Sequence, residues 1–149
     1  MRDFNLDNAI KHLSDAVKIE TVSNIDYEKV EWYKFDDFLA FLEKEYPNVH
    51  KVCKREIVNK YAPVYKWEGK NNNYKPVLFL GHYDVVPADK SSETLWKEDP
   101  FSGIIKDGCI WGRGTLDDKN QVIAIMEAAE HLISNGFIPE RDIYFAFGF

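Results

Sequence analysis

His82 and Asp84 stand two residues apart, directly after the apolar run Val77-Leu78-Phe79-Leu80, and Asp117-Asp118 stands at the mouth of a long amphipathic stretch. In extended backbone, residues two apart project to the same side, so an imidazole and a carboxylate would share one face. That pair suits a divalent cation: one ring nitrogen binds the metal while the carboxylate takes the other N–H and sets the tautomer. Asp117 could add a carboxylate whose two oxygens reach two ions roughly 3.5–4 Å apart. Gly112 and Gly114 would permit the sharp turn that brings it to the strand edge. Each segment also has a plain structural reading. His82 would be solvated at a strand end with Asp84 capping a turn, and Asp117 and Asp118 would cap a helix whose dipole favours them. Taken singly, the residues leave both readings open.

Periodicity indicates what must carry these side chains. Leu6, Ala9, Ile10, Leu13, Ala16 and Val17 recur at helical spacing and predict a helix from about Asn5 to Lys18, broken by Thr21-Val22-Ser23. A second helix is expected from roughly Tyr27 to Tyr46, with Val30, Tyr33, Phe38, Phe41 and Leu42 buried and Pro47 ending it. Val52, Ile57, Val58, Val64 and Tyr65 fall in β-branched and aromatic runs that read as two strands, with Pro63 marking an edge or bulge. Val77 to Leu80 reads as a strand covered on both faces. The loop from Pro87 to Pro100 leads to a hairpin about Lys106-Asp107-Gly108. A long helix follows from about Lys119 to Ser134, with its stripe on Val122, Ile125, Met126, Ala129, Leu132 and Ile133 and its stop at Gly136. A final strand spans Ile143 to Phe149. The alternation predicts an α/β fold, a layered sheet with helices on both faces, whose ligands gather at the carboxyl ends of strands.

Composition narrows the classes. An apolar fraction of 45% over 149 residues supports one folded domain, 1–149, and not a disordered tail. The net charge of −6, with scattered Lys and Arg, argues against nucleic acid or an anionic membrane as partner. No run reaches the ~20 apolar residues of a spanning helix, and the N-terminus lacks an apolar signal core, so a cytoplasmic chain is expected. Cys53 and Cys109 lie far apart and read as packing residues. A G-x-S-x-G elbow and a G-x-x-x-x-G-K loop are both missing, which sets aside serine hydrolase and phosphate-loop chemistry.

Taken together, the two segments are more specific than either alone. P-V-L-F-L-G-H-Y-D-V-V-P (Pro76 to Pro87), W-K-E-D-P-F-S-G (Trp96 to Gly103), D-G-C-I-W-G-R-G-T-L-D-D-K-N (Asp107 to Asn120) and G-F-I-P-E-R-D-I-Y-F-A-F-G-F (Gly136 to Phe149) occur in that order. They resemble the two-zinc metallopeptidase family of carboxypeptidase S, aminoacylase, Xaa-His dipeptidase and succinyl-diaminopimelate desuccinylase. The N-terminal helix and the segment Phe38 to Trp67 also resemble the carboxypeptidase S branch. The resemblance implies that His82 ligates one zinc, that Asp84 braces its imidazole as a catalytic residue, and that Asp117 is shared by two zincs. It implies a cis peptide between Asp117 and Asp118. It assigns no metal role to Asp118 or Lys119, and suggests packing roles for Trp96, Pro100 and Phe101.

The same resemblance places a general-base glutamate and a zinc-ligand glutamate after the strand Ile143–Phe149, and further ligands and a lid and dimerisation domain later still. None of these is in the sequence, and His12, His50 and His131 match no family ligand. The expectation is therefore the opening part of a zinc-peptidase catalytic domain. The complete domain would act on a small peptide or N-acyl amino acid through a two-zinc-activated water. Residues 1–149 alone would be inactive, bind zinc weakly or not at all, and dimerise only with the further domain. The alternative is a truncated, non-catalytic binding module of the same fold.

Overall fold

The computed structural model describes residues 3–88 and 95–149, so part of the loop expected from Pro87 to Pro100 lies outside the described residues. Four helices are described: α1 (Leu6–Lys18), α2 (Trp32–Glu45), α3 (Pro47–Val52) and α4 (Lys119–Ser134). A four-stranded sheet in the order β1-β2-β6-β3 is built from β1 (Lys54–Val58), β2 (Ala62–Trp67), β3 (Val77–His82) and β6 (Ile143–Gly148). The hairpin β4 (Ile105–Lys106) and β5 (Cys109–Ile110) turns through Asp107 and Gly108, both at positive φ, the turn geometry that favours glycine and aspartate.

Strands β3 and β6 run parallel, with His82 opposite Gly148, so both end at the same edge of the sheet. Strand β6 also pairs antiparallel with β2, placing Tyr65 beside Phe145 and Trp67 beside Ile143. Tyr65, Trp67, Phe145 and Phe147 make one buried face, which joins Ala16 of α1, Phe38 and Leu42 of α2, Val49 of α3 and Val122 and Met126 of α4 in a single core. The layered α/β class thus holds. The helical layer expected on the second face is not among the described residues.

Several local expectations are corrected. The helix expected from Tyr27 to Tyr46 is a 3₁₀ turn, Tyr27–Lys29, followed by α2. Between them Val30 is extended and buried, and Tyr33 faces solvent, with Phe35 taking its place in the core. Pro47 does not merely end α2; it starts α3 at the first helical position, where a missing N–H costs nothing. The amides of Asn48 and Val49 donate to the Glu130 carboxylate at 3.1 and 2.9 Å, so α4 caps α3. Val52 belongs to α3 and not to a strand. Pro63 sits in an interior strand, yet β6 pairs with β2 only from Val64 onward, leaving Pro63 with β1 alone as neighbour. Strand β3 is not covered on both faces: it is the sheet's edge, with Leu78 56% and Leu80 62% exposed. Cys53 is buried, which pushes its thiol up to about 12, whereas Cys109 is exposed on the hairpin and is no packing residue. No helix among the described residues is long and apolar enough to cross a membrane.

Candidate metal centre

His82 is the last residue of β3, and the segment after it is pinned on both sides. Tyr83 is fully buried, stacks on Phe38 at 4.6 Å, and donates its amide to Gly148 O at 3.1 Å. The Thr21 hydroxyl donates to Tyr83 O, Val85 N donates to Thr21 O, and Ser23 N donates to Val85 O. A short parallel bridge between Val22 and Val85 completes the strap. Thr21-Val22-Ser23, read from sequence only as the end of a helix, therefore holds Asp84 in place.

The turn from Gly112 to Asp118 approaches from the other side. At Gly112 a Cβ would come within 2.4 Å of Val17 Cγ1, and at Gly114 within 2.8 Å of Val85 Cγ1; both positions have positive φ. Only glycine tolerates that combination. The peptide between Asp117 and Asp118 is cis, as the resemblance implied. Asp118 is the N-cap residue of α4 yet makes no side-chain capping bond. One of its oxygens instead accepts the His82 amide at 3.3 Å. The plain capping reading of this pair therefore fails.

These elements bring His82, Asp84 and Asp117 together. His82 Nδ1 faces Asp84 Oδ1 at 3.0 Å, and His82 Nε2 faces Asp117 Oδ1 at 3.0 Å. The histidine side chain is 41% exposed, Asp84 22% and Asp117 90%. All three line a cavity of about 230 Å³ with Arg113 and Leu116. Burial alone would lower the His82 pKa, but the hydrogen bond to Asp117 and the charge of Asp84 outweigh it and raise the imidazole above its usual value.

The donor set fits a divalent cation. Two donors on one tetrahedral ion, each about 2.0–2.1 Å from it, stand about 3.3 Å apart, a few tenths of an ångström beyond the observed His82–Asp117 separation. Asp84 sits where a carboxylate orients a ligating imidazole. Among the described residues no group of three or more His, Cys, Asp or Glu side chains is arranged to hold a metal ion; the candidates the contacts bring together are His82 and Asp117, with Asp84 behind the former.

Lys119 was not expected to matter, yet its side chain is fully buried. Its ammonium donates to Ala16 O at 2.9 Å and Ile19 O at 2.5 Å and lies 5.2 Å from the centre of the Phe38 ring. Burial pulls its pKa down to about 7, against the opposing charges of Asp84 and Glu20. A signal was available in sequence: positions 119, 122 and 126 fall on one helical stripe, and Val122 and Met126 are its buried members. The packing roles suggested in the loop hold in part, since Arg113 stacks over Trp96 at 5.2 Å and donates its amide to Pro100 O.

The sequence profile of peptidase family M20/M25/M40 matches residues 78–149. Probable carboxypeptidase S-like 2 of Dictyostelium discoideum is 45% identical over 143 residues, covering 93% of this chain and 27% of that protein. Carboxypeptidase S of Saccharomyces cerevisiae is 40% identical over 149 residues, covering 95% of this chain and 26% of that protein. Human carnosine dipeptidase 1 shares the fold with a TM-score of 0.73 at 22% identity, over 95% of this chain and 31% of that one. The chain thus spans about a quarter of the length of the curated relatives it matches. The chain is similar to those relatives along nearly its whole length, and over residues 78–149, which carry both site segments, it is similar to peptidase family M20/M25/M40.

Proposed function

We propose that residues 1–149 form the N-terminal part of a zinc-dependent peptidase or amidase domain that hydrolyses a dipeptide or an N-acyl amino acid. The observation that carries this reading is the imidazole of His82 held between Asp84 and Asp117 at the carboxyl edge of parallel strands. The names of the relatives support the substrate class. They include carboxypeptidase S, a dipeptidase and the human N-fatty-acyl-amino acid synthase/hydrolase PM20D1, which is 36% identical over 138 residues.

In this reading His82 would hold a zinc ion through Nε2, and Asp117 would hold it through its carboxylate. Asp84 holds the proton on Nδ1, which leaves Nε2 as the lone-pair donor. The chemistry zinc supplies when bound is Lewis acidity, a water acidified towards neutrality and a polarised carbonyl. The chain's own contribution is orientation. The buried Tyr83 and the Thr21–Ser23 strap prevent the Asp84 segment from shifting, and the glycine turn presents Asp117 from the opposite wall.

Zinc titration in competition with a chromophoric chelator tests the assignment. Two described ligands under-coordinate a cation, so residues 1–149 alone should bind zinc weakly, and His82→Ala and Asp117→Ala should each remove that binding. Zinc affinity indifferent to both substitutions would defeat the reading.

A further inference from the structure

We propose that Lys119 is a positioning residue for this centre, setting the spacing between Asp117 and the His82–Asp84 pair by tying the glycine turn to the carboxyl end of α1. The inference rests on the functional reading above.

The side chain has two ends with different work. Its stem lies under the turn: Lys119 Cδ and Cγ are 3.2 and 3.4 Å from where a Cβ on Gly114 would stand, and its amide donates to Gly114 O at 3.0 Å. Its head reaches Ala16 O and Ile19 O, carbonyls at the end of α1. Both also accept backbone amides, Ala16 O from Ile19 N at 3.3 Å and Ile19 O from Thr21 N at 2.9 Å, so the ammonium adds a second hydrogen bond to each at a helix end whose dipole favours a cation. From Ile19 the backbone runs within two residues into Thr21, whose hydroxyl and carbonyl grip Tyr83 and Val85 on either side of Asp84. One side chain therefore joins the wall that carries Asp117 to the strap that fixes Asp84.

Packing alone does not call for a lysine here. Burying an ammonium is costly unless it is compensated, and the ring of Phe38 beside it would accept an apolar neighbour equally well. A methionine fills similar space without donors, so Lys119→Met removes the tie and keeps most of the packing.

The test compares the unsubstituted chain with Lys119→Met and, as a control on the same helix, Met126→Ala, which opens a cavity in the core. Amide hydrogen exchange by NMR, without metal, is read at Val85 and at residue 119 relative to the interior of α4. Zinc affinity is read by chelator competition. For Lys119→Met we expect exchange at both amides to accelerate at least tenfold relative to α4, and zinc affinity to fall about tenfold or more, the scale seen when support behind a metal ligand is lost. Met126→Ala should leave zinc affinity within about twofold of the unsubstituted chain while lowering global stability. If Lys119→Met matches the control in both readouts, the proposal is overturned. Should Lys119→Met fail to fold, Lys119→Gln, which keeps a donor on a shorter stem, should give at least a threefold loss of affinity and faster exchange; values equal to the unsubstituted chain's would overturn it. If zinc affinity is indifferent to His82→Ala and Asp117→Ala, the functional reading fails, and the exchange data alone decide whether Lys119 positions the turn, as they also do if the unsubstituted chain binds no zinc.

Discussion

Two histidines in this chain each stand between two carboxylates, and they do opposite work. His12 on α1 meets Glu127 of α4 through Nδ1 at 2.5 Å and Glu45 of α2 through Nε2 at 3.3 Å. The Tyr46 hydroxyl donates to the same Glu127 oxygen at 2.9 Å. The histidine is only 9% exposed and sits edge-on to the rings of Phe41 and Tyr46. His82 has the same chemical neighbours in kind, but Asp117 beyond it is open to water. The first triplet lies between three helices with its side chains 11–20% exposed, so His12 and Glu127 spend most of their bonding capacity within it. In the second, the outward carboxylate can exchange its histidine contact for a ligand. The functional groups are the same in the two places, an imidazole between two carboxylates; access and what lies behind the imidazole separate a tether from the proposed site.

The largest expected effect breaks the tether. His12→Ala leaves the buried Glu127 without its imidazole partner, and removing one member of a buried pair costs about 3–5 kcal/mol. Urea denaturation should show that loss, with zinc affinity unchanged. If stability falls by much less, the His12 triplet is not the structural element the comparison makes it.

His82→Ala should do the reverse. We expect at least a 100-fold loss of zinc affinity and a stability change within about 0.5 kcal/mol, the usual range for a surface position away from packing. A variant with unchanged zinc binding and a collapsed melting temperature would invert the comparison.

A smaller effect sharpens it. Asp84→Asn keeps the shape behind His82 but removes the charge, and the loss of such support typically costs 10–100-fold in metal affinity. We place this variant near the lower end, about tenfold, because the Asp84 backbone carbonyl also lies 3.3 Å from His82 Nδ1. Chelator competition gives the number directly.

The smallest effect is in pH. Since the His82 pKa is raised in the folded chain, its ion pairs stabilise the fold fully below the ordinary value near 6.5, and that contribution disappears as pH rises through the raised value. Solvent screens an imidazole this exposed, so the change in melting temperature should be slight and absent in His82→Ala. Zinc binding should run the other way, weakening as pH falls through the same value because the proton competes for Nε2. Affinity that is flat across this range would remove His82 from the ligand set.

Much of this was legible before any coordinates. Helix α4 falls where its stripe and Gly136 place it, because a capped apolar repeat of 16 residues leaves few alternatives. The motif residues at 82, 84 and 117 converge as the resemblance implied. What escaped sequence reading depended on distant partners. Pro47 opens a helix because Glu130, far along the chain, caps it. Tyr33 and Phe35 exchange roles because the chain is extended at Val30, between the 3₁₀ turn and α2, a break that periodicity does not specify. Apolar content made Val77–Leu80 read as an interior strand, but strand order is a pairing decision, and β3 lies at the edge of the described sheet.

By itself, then, the sequence determined most of the elements, the α/β class and the identity of the chemically able side chains, since periodicity, turn residues and motif spacing are local properties of the chain. Only the tertiary structure decided which histidine is closed in and which is open, that Thr21 braces the segment of Asp84, and that a lysine from α4 completes the end of α1. Each of those outcomes joins residues 60 or more positions apart, except for His82 and Asp117 at 35. Such contacts are set by the packing of whole faces and not by the propensity of any one segment.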